Sequence, residues 1–197
     1  ATLLWGEYPQ RQAMQSLSQA LTNLRSLISA GTTAEESHLK TTRQIVMLNS
    51  DPERLWVDVH AFDSLLLAAN PHRTSALGDI DIIGSLEEAV ALYQGPFLSG
   101  LSLPDNLEFE EWLMLQREQR HQAMQIALTR LISHHMSEGH MGLVGYYARQ
   151  QLALEPWNEN GHKALMLALA MEGQRGAALQ QYETCCRVLA EEMDVKP

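Results

Sequence analysis

The sequence predicts a mainly α protein with one short β-hairpin near its front. Three observations lead there. Apolar residues recur at helical spacing over residues 12–28. A stretch rich in β-branched and apolar residues follows at 38–59. From residue 107 to 193 the pattern is helical almost throughout, and it repeats with a period of 34 residues.

In the first segment, Ala13, Leu17, Ala20, Leu21, Leu24, Leu27 and Ile28 fall on one stripe. Gly31 ends that run, and Thr32 and Thr33 follow. The next stretch, HLKTTRQIVMLNSDPERLWVDV, predicts two or three short strands, with 38–42 and 44–48 pairing as a hairpin. Asn49-Ser50-Asp51-Pro52 marks a turn. Asp58 is placed to cap a helix over 59–69, which Asn70-Pro71 stops. After a polar loop, Ser85-Leu86-Glu87-Glu88 reads as a capping box opening a helix over 86–94, ended by Gly95-Pro96.

The long helical region breaks near Gly139, Pro156-Trp157-Asn158 and Gly173. Gly139 and Gly173 are 34 residues apart, and at the same offset Leu131 meets Leu165, Ile132 meets Met166, Val144 meets Ala178 and Ala148 meets Tyr182. That is the tetratricopeptide period. Each helix pair cannot bury its apolar face alone, so neighbouring pairs must stack.

Bulk composition narrows the function classes. The chain has 197 residues, of which 45 % are apolar and 19 % charged, so it is globular rather than disordered. No apolar run is long enough to span a membrane, and no secretory signal is visible. The expectation is a cytoplasmic protein without membrane partners. Its two cysteines, Cys185 and Cys186, are adjacent and poorly placed to bond each other, which agrees with a reduced compartment. One of them is expected to pack in the repeat core. The net charge of −10 argues against a protein that coats nucleic acid. Residues 1–60, however, carry five basic and six acidic side chains, so nearly all the acidity lies behind them. A DNA-contacting front part stays open.

Few residues carry catalytic chemistry. His134, His135 and His140 cluster in sequence, yet adjacent helical residues point about 100° apart and cannot easily share one ion. They read as a surface cluster at a helix end. Asp105, Glu108, Glu110 and Glu111 sit where acidic residues favour the positive end of a helix dipole. No nucleophile is paired with a base, and no phosphate loop, metal spacing or cofactor fingerprint occurs. The expectation is no enzyme, no cofactor and no metal.

Helix followed by hairpin is the order of recognition helix and wing in a winged helix-turn-helix. The polar face of helix 12–28 carries Gln15, Ser18, Gln19, Thr22 and Asn23. Gln and Asn can bond adenine bidentately, and Ser and Thr can reach bases or phosphates. The hairpin carries Lys40, Thr41, Thr42 and Arg43, suited to phosphate contact. Any amphipathic helix has a polar back, so the wall of an ordinary bundle is the competing reading.

The ordered segments resemble a known family. LLWGEYP, SLSQALTNLRSLI, LKTTRQIVMLN and WVDVHAFDSLL resemble the back half of the winged-helix domain in antibiotic-regulatory bacterial activators. LEEAVALYQGPFLSGL, EWLMLQREQR and the last forty residues resemble the bacterial transcriptional activator domain that follows it, which is similar to tetratricopeptide repeats. The resemblance implies a partial winged helix-turn-helix over 1–58, with the family's first helix missing, and a tetratricopeptide-like α-helical repeat domain over 59–197. It places Ser16 to Arg25 on the recognition helix, with Arg25 where the family usually keeps an arginine, and Leu39 to Leu48 on the wing. Ser18 and Asn23 depart from positions that are often basic. Without the first helix, Leu17, Leu21 and Leu24 are expected to be under-covered, or to be covered by a second copy of the chain.

The implied function is transcription regulation. A winged helix binds promoter or operator DNA, and a helical repeat face docks RNA polymerase, other regulator domains or a second protomer. Val195-Lys196-Pro197 reads as a link to further domains. The alternative is a pure protein–protein interaction scaffold whose winged-helix remnant no longer binds DNA.

Overall fold

A computed structural model describes residues 1–28, 39–42, 45–48, 55–70 and 81–193. The fold is mainly helical, as the sequence predicts. The chain divides into two compact units. The front unit comprises residues 1–61 and 95–119, and the repeat unit comprises 62–94 and 120–197.

The front unit starts with a single turn, α1 (Thr2–Trp5). Pro9 precedes α2 (Gln10–Ile28), and its carbonyl accepts the first helical bonds from Gln12 and Ala13. A proline at this place loses no donor that a helix start could have used. The hairpin is antiparallel, β1 (Leu39–Thr41) against β2 (Val46–Leu48), with Leu39 opposite Leu48 and Thr41 opposite Val46. Its turn is closed by the Thr42 N–H donating to the Ile45 carbonyl at 2.8 Å, and by the Ile45 N–H donating to Thr42 Oγ1. The expected strands at 38–42 and 44–48 therefore exist in shortened form. The turn at residues 49–52 and the helix stop at Gly31 lie outside the described residues.

Helix α3 (Asp58–Ala68) starts one residue earlier than expected: Asp58 lies inside its first turn rather than capping it, the Val57 carbonyl accepts from the Ala61 N–H, and Asp58 Oδ1 accepts from the Val59 N–H at 2.7 Å. Helix α4 (Ile82–Leu92) starts earlier than expected. Asp81 caps it, accepting from the Gly84 N–H, and Ser85 already bonds back to the Asp81 carbonyl inside the helix. The Ser85 capping box is thus replaced by an Asp81 cap four residues upstream.

Helix α5 (Leu107–Ser137) is 31 residues long. Asn106 caps it by accepting from the Phe109 N–H. In the front unit, the Arg117 guanidinium gathers three carbonyls, those of Phe97, Leu98 and Leu101. It thereby shapes the connector that contains Gly95-Pro96. Trp112 stands among Phe97 and Phe109 in the same unit.

Helices α6 (Met141–Leu154), α7 (Glu159–Met171) and α8 (Arg175–Met193) complete the repeat unit. Gly139 and Gly173 adopt left-handed φ angles of 75° and 79°. At both, the next residue's N–H reaches back five residues: His140 to the His135 carbonyl, Gln174 to the Leu169 carbonyl. The same helix stop recurs 34 residues apart, and only glycine takes that conformation without strain. Asn158 caps α7 through the Gly161 N–H. A Cβ on Gly161 would come within 3.1 Å of Leu152, so the small residue permits close packing of α7 on α6.

The core of the repeat unit contains Phe62, Leu86, Leu128, Leu131, Val144 and Leu165. Burial differs between repeat-equivalent positions. Val144 and Ala148 on α6 are fully buried, while their equivalents on α8, Ala178 and Tyr182, are half-buried and 52 % exposed. The α6 face is covered by α7, and no described helix follows α8 to do the same. Cys185 is buried and free, as expected of one cysteine of the pair, and burial pushes its thiol up.

His135 corrects the reading of the histidine cluster. It is only 5 % exposed, and its Nε2 lies 3.2 Å from Glu87 Oε1 on α4. Its ring stacks on Tyr147, 5.5 Å away and nearly parallel. Among the described residues, no three His, Cys, Asp or Glu side chains are grouped to hold a metal. Burial, and then the Glu87 carboxylate, push the Tyr147 phenol up to about 12 from an ordinary 10.0. The folded chain thus holds this proton more tightly than the unfolded chain does. The stabilisation is complete below pH 10 and is lost as pH rises toward about 12. Urea midpoints measured across that window should fall with rising pH, and Tyr147→Phe should flatten the fall.

Candidate nucleic-acid interface

Helix α2 carries Arg11 and Arg25 and no acidic residue in a chain of net charge −10. Its polar residues Gln15, Ser18, Gln19, Thr22, Asn23 and Arg25 are all exposed. At about 100° per residue they span an arc of roughly 160°. The helix therefore brings these six candidates onto one solvent face. Some of their hydrogen-bonding capacity is used within the helix. Gln19 Nε2 donates to Asn23 Oδ1 at 3.2 Å, and Thr22 Oγ1 donates to the Ser18 carbonyl at 2.9 Å. The Gln19 carboxamide keeps one N–H and its oxygen for other partners, and Asn23 keeps its NH₂ group. Arg25 lies in the last turn, where a cation also favours the negative end of the helix dipole.

The hairpin supplies less to the described site. Thr42 is exposed, and its hydroxyl oxygen accepts from the Ile45 N–H. Lys40 sits in β1 opposite Met47, and its side chain lies outside what the structure describes. Arg43 lies outside the described residues.

Sequence reasoning missed Arg11 as a member of this face. A shallow hollow of about 490 Å³ is lined by Gln10, Arg11, Met14, Gln15 and Ser18 at the start of α2. The signal was available, because Arg11 stands four residues before Gln15 and seven before Ser18.

The opposite face of α2 is covered unevenly. Ala13 is buried, Leu17 and Leu21 are half-buried, Leu24 is 40 % exposed and Leu27 is 77 % exposed. Cover fades from the first turn to the last. On the hairpin, Ile45, Val46, Met47 and Leu48 are exposed as well.

The repeat unit offers a second kind of surface. Leu143 and Tyr146 on α6, and Leu179 and Tyr182 on α8, are exposed. Helix pairs with a shared period and shared glycine stops define a tetratricopeptide-like helical domain. The profile of one family, the bacterial transcriptional activator domain, matches residues 57–197. The chain belongs to the bacterial transcriptional activator domain family, a regulatory family rather than an enzyme family. None of the curated proteins matches the chain. Among the described residues, no helix is long and apolar enough to cross a membrane.

Proposed function

We propose that the chain regulates transcription through two parts: residues 1–58 as a partial winged helix that reads operator DNA, and residues 59–197 as a protein-docking domain. One observation supports DNA reading above the others. An exposed, acid-free polar face with two arginines stands on α2 of an acidic chain, directly before a β-hairpin. Gln15, Ser18, Gln19, Thr22 and Asn23 face the base edges of the major groove. Arg25, Lys40, Thr42 and Arg43 hold phosphates and fix the register. The repeat face engages RNA polymerase, other regulator domains or a second protomer, and the protein works in the cytoplasm. No catalytic step belongs to it.

A specific observation favours a second reading. Gln19 bonds Asn23, and Thr22 bonds the Ser18 carbonyl, so part of the polar face is satisfied without any ligand. The front unit is then a scaffold that no longer binds DNA. Arg25→Ala combined with Arg43→Ala separates the two. A DNA reader should lose affinity by about tenfold and its salt slope should drop by about two. An unchanged affinity and slope would favour the scaffold.

A further inference from the structure

The front unit holds a second hollow, of about 480 Å³, built from two segments far apart in sequence. Trp5, Glu7 and Tyr8 line it from one side, and Leu103, Pro104 and Asp105 from the other. Asn106 fastens the two together. Its Nδ2 donates to the Leu3 carbonyl at 3.0 Å, while its Oδ1 caps α5. Gly6 passes so close to Glu108 that a Cβ there would meet Oε2 at 2.9 Å. The walls are thus held by specific contacts. Tyr8 is 49 % exposed, Trp5 is half-buried, and Glu7 and Asp105 are exposed.

Charge says what can enter. Residues 1–8 and 102–111 hold five carboxylates, Glu7, Asp105, Glu108, Glu110 and Glu111, and no Lys, Arg or His. Glu110 accepts from Ser102 Oγ and the Leu103 N–H, and of the five carboxylates Glu7 and Asp105 line the hollow itself. Such a rim repels phosphate. It attracts a cation, and aromatic rings beside it add attraction at the ring face. Arginine suits this combination better than lysine, because its planar group stacks on a ring and bonds a carboxylate in a fork. The geometry points to a docking pocket for a partner-protein segment that presents an arginine between apolar residues. The guanidinium lies against Trp5 and Tyr8 and bonds Glu7 and Asp105, and the apolar neighbours rest on Leu103 and Pro104. This pocket is independent of α2 and of DNA reading.

The test uses the full chain, isotopically labelled, and two tripeptides, acetyl-Leu-Arg-Leu-amide and its citrulline counterpart, which keeps the shape but loses the charge. The arginine peptide should shift the Trp5 indole N–H and the Tyr8, Asp105 and Asn106 amides in a saturable way. The citrulline peptide should bind about tenfold more weakly. Glu7→Gln with Asp105→Asn, two exposed positions, should weaken the arginine peptide by about as much. The rest of the spectrum reports whether the variant keeps its fold. Equal binding of both peptides would overturn the proposal in favour of a plain apolar groove. So would the absence of saturable shifts, or the same resonances responding to duplex DNA instead.

Discussion

Leu131→Ala is expected to destabilise the repeat unit by about 3 kcal/mol. Leu131 is 0 % exposed in the last third of α5 and belongs to a core built from α3 to α7. Truncation removes the transfer energy of the deleted carbons and leaves a cavity that the glycine-stopped helices cannot close freely. In a chain of this size the midpoint of thermal unfolding should fall by about 10 °C. Leu179→Ala is the matched control, because Leu179 is among the exposed apolar residues of α8. Its cost should stay within about 0.5 kcal/mol. Circular dichroism melts of both variants check the pair. Similar losses would mean that α8 is covered in solution by something other than the described helices.

Glu87→Leu should cost about 2 kcal/mol. Glu87 lies near both the His135 ring and the Tyr147 hydroxyl, at 3.2 and 3.4 Å. Its own side chain is 41 % exposed, so its removal from water contributes little to the balance. The cost falls on His135, whose Nδ1 is already buried without a partner and whose Nε2 would join it. Leucine fills the space and offers no acceptor, so the variant isolates the lost bond from a lost volume. Glu87→Gln keeps an acceptor oxygen and should recover most of the stability. It also removes a charge that helps push Tyr147 up, so the alkaline decline of stability should be smaller and should end at a lower pH. Urea titrations of the three proteins measure both effects. Equal stability of the leucine and glutamine variants would show that the hydrogen bond is not what matters there.

Local sequence signals were most informative where one residue decided the geometry. The stops at Gly139 and Gly173 rest on residues that, lacking a Cβ, take the left-handed conformation without strain, and at the expected break near residues 156–158 it is Asn158 that caps α7. The 34-residue offset predicted that Leu131 and Leu165 would share a role, and both are buried. Signals failed where two neighbours could do the same job. Asp81 and Ser85 can each cap α4, and the apolar pair Ile82-Ile83 puts the start at Asp81, because both side chains pack on the core only from inside the helix. His135 was misread because its partner, Glu87, is 48 residues away in sequence. No local pattern announces a long-range polar contact.

The candidate site was legible as a face, not as an activity. Helical spacing gathered Gln15, Ser18, Gln19, Thr22 and Asn23, and the structure exposes all five on one side of α2, because periodicity fixes which side chains share a side; Arg25 came from the resemblance. Whether that face reads DNA depends on charge, pairing and support, which spacing does not encode. The fading cover along α2, from Ala13 to Leu27, agrees with the expectation that Leu17, Leu21 and Leu24 lack full packing.

Fluorescence anisotropy of the full chain against pooled fragments of its own genome, titrated with salt, tests DNA reading most directly. A DNA reader binds a few fragments preferentially and weakens steadily as salt rises, because its phosphate contacts release counterions. No binding even at low salt, or equal weak binding to every fragment, would contradict operator recognition by α2 and leave the protein-docking surfaces as the working parts of the chain.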